Sequence, residues 1–195
     1  GMMDCKKALT EADGDFDKAI EILREKGLAK AAKKASRVAA EGIVSIEICD
    51  KCGAAAIVEV NSETDFVAKN ADFQKFASDV AKVVIAENPA DLDALKAAKM
   101  GDVTVEGALQ EKVLTIGENL QIRRFERYDE STVNVGYTHM GGVIGVLVGL
   151  EVSDNLKGNP AVIELGKDIG MQAAAMRPLF MDKSDVDQAT LDKEK

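Results

Sequence analysis

Near residue 40 the apolar pattern of this chain changes period, and that change excludes most architectures. Before it, Phe16, Ala19, Ile20 and Leu23 recur at the spacing of one helical face. After it, Val44, Ile46 and Ile48 alternate with Ser45 and Glu47. Asp50 to Gly53 then supplies turn residues, and Ala56, Val58 and Val60 resume the alternation. Two alternating runs joined by a short polar turn predict an antiparallel β-hairpin. An all-helical or a parallel α/β design would not carry this pattern. The chain is therefore expected to be α+β.

The flanking segments extend this outline. Asp4 is placed to cap a first short helix through Leu9, and Gly14-Asp15 to end one turn and cap a second helix. Gly27 is expected to stop that helix, and Leu28 to Arg37 to form a third, linker-like one. A further helix before Gly1 would complete a small bundle. Downstream, Asn70 is a good N-cap for a helix to Glu87 carrying Phe73, Phe76, Ala77, Val80 and Val84. A helical connection ends near Gly101, Val105 to Ile116 reads as a helix, and Leu120, Ile122 and Phe125 mark a strand. Its alternation slips at Arg123-Arg124, as a bulge would produce. The first α+β unit closes around Asp129 to Thr132.

A second unit repeats the order. Val133 to His139 and Val143 to Leu150 read as strands around Gly141-Gly142, and Asp154 to Asn159 as a polar loop. Asn159-Pro160 then opens a helix bearing Val162, Leu165, Ile169 and Met176. Asn70 and Asn159 hold matching places in a weak internal duplication of a strand-strand-helix unit. The closing strand of the second copy is expected beyond Lys195. The divisions are 1–38, a helical unit with its linker helix; 39–132, a first α+β unit; and 133–195, a second, incomplete one.

Composition narrows the function. A formal net charge of -9 over 195 residues argues against general nucleic-acid binding. The Arg24 to Arg37 stretch is basic but has no interleaved aromatics for stacking, so a solvated helix face is the favoured reading over an RNA contact. No apolar run approaches the roughly 20 residues needed to span a bilayer. Three cysteines, an odd number, disfavour a disulfide framework and favour a reducing, cytoplasmic location. Cys49-Asp50-Lys51-Cys52 has the spacing of a redox pair or half a zinc site, yet it spans a hairpin turn, and chance spacing is favoured. Gly141 to Gly149 lacks the ending of a phosphate loop. His139, the single histidine, has no nucleophile or acid partner in a recognisable constellation. No catalytic residue, cofactor or resident metal is expected.

One segment remains. Thr64-Asp65-Phe66-Val67-Ala68-Lys69-Asn70 reads as a polar loop between a strand and a helix, with one large aromatic flanked by charges. Phe66 there is expected to face outward, as aromatic anchors of binding sites do. Met2 and Met3, adjacent, cannot both face one core, so one is expected at an interface.

Three stretches together resemble bacterial-type elongation factor Ts: Gly1-Met2-Met3-Asp4-Cys5-Lys6-Lys7-Ala8-Leu9, Val60-Asn61-Ser62-Glu63-Thr64-Asp65-Phe66-Val67-Ala68-Lys69, and Ile116-Gly117-Glu118-Asn119 with Ile122-Arg123-Arg124. The resemblance is collinear and covers essentially the whole chain. It implies a guanine-nucleotide exchange factor for the GTPase elongation factor Tu, acting by binding and not as an enzyme. It also implies a small ubiquitin-associated-like helical domain and two α+β subdomains with antiparallel sheets, the first helix and the last strand falling outside this chain. Thr64, Asp65, Phe66 and Val67 match the segment that enters the GTPase near its magnesium and nucleotide, with Phe66 as the wedge. Met2, Met3, Ile116, Gly117 and His139 match further partner contacts. No direct nucleotide, nucleic-acid or membrane binding is implied, and a homodimer through the core is compatible. The alternatives are a nucleic-acid-binding module using the basic Arg24 to Arg37 helix, and a thiol or zinc protein using Cys49 and Cys52.

Overall fold

A computed structural model describes residues 2–129 and 132–193. Gly1 of the opening motif, residues 130–131 at the expected unit boundary, and the final residues 194–195 lie outside the described residues. The chain is mixed helix and antiparallel sheet, so the α+β expectation holds.

The period change is real. Strands β1 (Glu41–Ile48) and β2 (Ala55–Ser62) pair antiparallel, from Glu41 opposite Ser62 to Ile48 opposite Ala55. Strand β5 (Gln121–Tyr128) completes the sheet in the order β1-β2-β5. Its register shifts between Glu59, opposite Arg124, and Val60, opposite Ile122, so Arg123 is the extra residue of the expected bulge.

The core forms where β1 and β2 meet helix α4 (Ala71–Glu87). Asn70 caps that helix as expected, its side chain accepting from the N–H groups of Asp72 and Phe73 at 2.8 and 3.3 Å. Phe73, Phe76, Ala77, Val80 and Val84 are all buried against Val58 and Val60. Leu95 of α5 (Leu92–Ala97) and Val105, Leu109 and Val113 of α6 (Val105–Ile116) close the cluster. Between α5 and α6 lies a two-residue ribbon, β3 (Lys99–Met100) and β4 (Val103–Thr104), turning at Gly101. Asn70→Ala is expected to lower unfolding free energy by about 1 kcal/mol, read by urea denaturation, because two N–H groups lose their acceptor.

The N-terminal helices differ from expectation at two points. Helix α1 (Met2–Glu11) begins ahead of Asp4, which lies in its first turn and ion-pairs with Lys30 at 3.7 Å instead of capping. Helix α2 (Phe16–Lys34), capped by Asp15 as expected, does not stop at Gly27 and absorbs most of the linker helix. Gly27 is buried, and a Cβ there would run into the Leu114 side chain of α6. A helix-interior glycine costs about 1 kcal/mol; here it permits close approach of two helices.

Strands β6 (Val133–His139) and β7 (Ile144–Leu150) form a second hairpin, laid across the face of β1 opposite α4. Contact is tight: a Cβ on Gly136 would lie 2.8 Å from Ile46 Cγ2, and one on Gly145 2.5 Å from Val44 Cγ1. The turn carbonyl of Gly142 accepts from Val44 N–H at 2.7 Å. β7 is thus half-buried, not the fully buried strand its composition suggests.

Helix α7 (Pro160–Met176), capped by Asn159, covers the other side of the hairpin. Of the four apolar residues expected to face inward, Val162 is half-buried and the other three are not. Gly166, Gly170 and Ala174 are buried, while Leu165, Ile169 and Met176 are exposed. A Cβ on Gly166 would sit 2.6 Å from Val135 Cγ2, and one on Gly170 2.9 Å from Tyr137 Cβ. Small residues let this helix lie close to the strands, which hydrophobicity alone does not reveal. Helix α8 (Gln188–Lys193) ends the described chain. Among the described residues no helix is long and apolar enough to cross a membrane.

Candidate functional site

The segment after β2 is not a loop. Asp65–Ala68 forms one turn of helix, α3, with Thr64 as its N-cap. Its four residues divide by direction. Val67 packs against the core and Ala68 is buried, while Asp65 is exposed and Phe66 is 81% exposed. Burial of the second pair fixes the orientation of the first, so the outward aromatic expected from sequence stands on a rigid turn.

The turn is anchored from three sides. Ser62 Oγ donates to the Thr64 carbonyl at 3.0 Å, and Gln74 Nε2 donates to the Ala68 carbonyl at 3.2 Å. The third anchor comes from the bend after α6. Glu118 Oε2 accepts from the N–H groups of Glu63 and Thr64 at 3.0 and 3.1 Å, and Glu118 Oε1 from Thr64 Oγ1 at 2.6 Å. In return, Glu63 Oε1 accepts from Asn119 N–H at 2.6 Å. Asn119 Nδ2 donates to the Arg37 carbonyl at 2.7 Å, which adds the end of the N-terminal helical segment. Gly117 makes the bend possible: it ends α6 at φ +90°, where an L side chain is strained. Lys34 Nζ donates to its carbonyl at 2.6 Å.

The fold therefore brings the second and third sequence motifs together. It also separates the roles of the expected contact residues. Thr64 faces inward as a cap and an anchor. Ile116 is half-buried against the core, and Gly117 beside it is exposed. Met2 and Met3 are both exposed, at 88% and 64%. His139 sits at the exposed end of β6, its Nδ1 3.2 Å from Tyr137 Oη, next to Met140, a left-handed residue at φ +52°. Glu118 was not among the expected site residues. The sequence signal for it was a carboxylate directly after a helix-ending glycine.

Asp65 is the charged group beside Phe66. A hydrogen bond and charge attraction from the Lys69 ammonium, at 2.7 Å, hold its carboxyl below the ordinary 3.8 and raise Lys69 in turn. A depressed carboxyl value means the pair contributes fully at neutral pH and is lost only as pH falls through the folded value. Asp65 therefore presents a constant negative charge across the neutral range. Among the described residues, no group of three or more metal-ligating side chains comes together.

Comparison with known proteins follows the same line. The family model described as Elongation factor TS matches residues 63–195, a span beginning at the Glu63 anchor. The chain is 51% identical over 197 residues to elongation factor Ts of Clostridium perfringens, covering 100% of this chain and 64% of that protein. It is 50% identical over 189 residues to elongation factor Ts of Clostridioides difficile, covering 96% of this chain and 61% of that one. Against elongation factor Ts of Dinoroseobacter shibae it is 49% identical over 200 residues, covering 100% and 64%. The chain thus spans under two thirds of the length of these curated relatives.

Proposed function

The chain belongs to the elongation factor Ts family, and from that membership we propose that it promotes GDP release from elongation factor Tu by binding, without covalent chemistry. The observation that carries the reading is Phe66, exposed on a helical turn whose other side is buried and whose cap is fixed by Glu118. A side chain held this way enters a partner with little ordering cost. Phe66 serves as the wedge. Asp65, constant in charge, competes for the groups that organise the partner's magnesium, which neutralises the phosphates the GTPase holds.

The thermodynamics require no active site on this chain. An exchange factor binds the nucleotide-free GTPase more tightly than the GDP-bound form. By linkage, the factor it removes from GDP affinity equals the factor GDP removes from its own. The ternary complex is weak, and excess GTP completes the exchange. Met2, Met3 and Gly117 offer further contacts on the same reading, with His139 meeting the partner at the tip of the second hairpin. The division follows as well: 1–38 a ubiquitin-associated-like helical unit, 39–132 and 133–195 the two α+β subdomains.

The RNA-binding alternative loses support from the helix it would use. Lys26 and Lys30 pair with Glu11 and Asp4, Lys34 with the Gly117 carbonyl and Arg37 with Glu63, so four of its six cations already have contacts within the chain. The deciding experiment is release of labelled GDP from purified elongation factor Tu with and without this chain. Stimulation supports exchange, and an unchanged rate refutes it. Asp65→Asn gives a second test. Its rate relative to the parent should stay flat between about pH 5.5 and 8, because a depressed carboxyl does not titrate there. A ratio that changes across that range would contradict a permanently ionised Asp65.

A further inference from the structure

The β1–β2 turn carries chemistry that exchange does not use. Cys49 N–H donates to the Ala54 carbonyl at 2.8 Å, and Gly53 N–H to the Cys49 carbonyl at 2.7 Å. Gly53, at φ +77°, lets the chain fold back sharply. The N–H of Cys52 is thereby aimed at Cys49 Sγ, 3.2 Å away. A sulfur accepting a fixed backbone N–H is stabilised as thiolate, the service that a helix N-terminus gives a redox cysteine pair. Neither cysteine is joined in a disulfide; Cys52 is exposed and Cys49 half-buried, so a small solute can reach them. The turn is also held from outside: Asn134 Nδ2 donates to the Gly53 carbonyl at 2.9 Å and to the Asp129 carbonyl at 2.7 Å.

We propose that Cys49 and Cys52 form a thiol-oxidation site for small hydroperoxides, with Cys49 the nucleophile and Cys52 the resolving thiol. The Cys49 thiolate attacks one peroxide oxygen. The O–O bond breaks, the other oxygen leaves as water after taking a proton, and Cys49 becomes a sulfenic acid. The Cys52 thiol then attacks the Cys49 sulfur, its proton passing to the departing hydroxide. The S–O bond breaks, the hydroxide leaves as water, and a disulfide joins the two residues. Two thiols lose two electrons in total, and one hydrogen peroxide becomes two waters.

Electrostatics agrees with these roles. The Cys49 thiol is held below its ordinary value by a hydrogen bond from the Cys52 side chain, then by the N–H groups of Cys52 and Lys51. Position keeps the site apart from the exchange surface. The turn closes the hairpin beyond the Ile48–Ala55 pair, whereas Thr64 follows the Glu41–Ser62 pair. Seven strand steps separate those pairs, about 23 Å at the usual rise.

The test uses the reduced full chain, with Cys5 on α1 as internal reference, since it is more exposed than Cys49 and lies outside the turn. At neutral pH, iodoacetamide should modify Cys49 about tenfold faster than Cys5. Hydrogen peroxide should give a monomer lighter by two hydrogens, with Cys49 and Cys52 linked in the peptide map. In Cys52→Ser, dimedone should label Cys49 as a trapped sulfenic acid. Equal alkylation of Cys49 and Cys5 in the parent would overturn the proposal. So would peroxide treatment that leaves the two cysteines unlinked. Both of those readouts use the parent chain and do not depend on how any variant folds.

Discussion

Phe66→Ala should abolish most of the stimulation of GDP release while leaving the fold unchanged. The ring is 81% exposed, so its loss removes almost no buried apolar area from the free chain. Alanine is also the better helix former within α3. The urea midpoint should therefore stay where it is. In a complex the same ring would be buried, and a central aromatic anchor is worth about 2 kcal/mol or more. That corresponds to roughly thirtyfold weaker binding to the nucleotide-free GTPase. The measurement is GDP release at subsaturating concentrations of the chain, paired with a denaturation curve. Release as fast as the parent's would remove Phe66 from the wedge role, whatever else the chain does.

How far the sequence discloses this arrangement depends on whether a signal is local. The hairpin pairing and the Asn70, Asn159 and Asp15 caps are each set by residues close in sequence, the bulge at Arg123 shows as a local slip in alternation, and each stands where expected. Gly27 misled, and the Gly166–Gly170 pair gave no reading, because a glycine that ends a helix and one that admits a neighbour have the same local chemistry. Only the partner, Leu114 in one case and the β6–β7 hairpin in the other, tells them apart. For the same reason Leu165, Ile169 and Met176 gave a plausible apolar stripe on the wrong side of α7. The segment at Thr64 read as a loop since four residues are too few to show a helical period. Its cap, Thr64, stands three residues before Val67, and threonine serves turns as well as helix starts. Glu118 was the least accessible, because the groups it binds lie 54 and 55 residues earlier in the chain.

Glu118 gives the other large effect, and its consequences separate positioning from contact. One carboxylate accepts three hydrogen bonds at a half-buried site: two from the N–H groups of Glu63 and Thr64, one from the Thr64 hydroxyl. In Glu118→Ala those three donors lose their acceptor, at about 1–3 kcal/mol for each one that water does not reach. A net loss of about 2–3 kcal/mol in unfolding free energy is expected by urea denaturation. Glu118→Gln is the finer probe. It keeps the length and one acceptor oxygen but turns an NH2 toward donors, so α3 should stay folded with its cap loosened. If Glu118 acts by fixing the direction of Phe66, its loss matters only while the ring is present. Glu118→Gln alone should slow GDP release several-fold, and in the Phe66→Ala background it should add little. The coupling between the two positions would then nearly equal the whole effect of the Glu118 change. Simple additivity in the double variant would show instead that Glu118 touches the partner directly or acts through global stability, and the denaturation curves would tell those two apart.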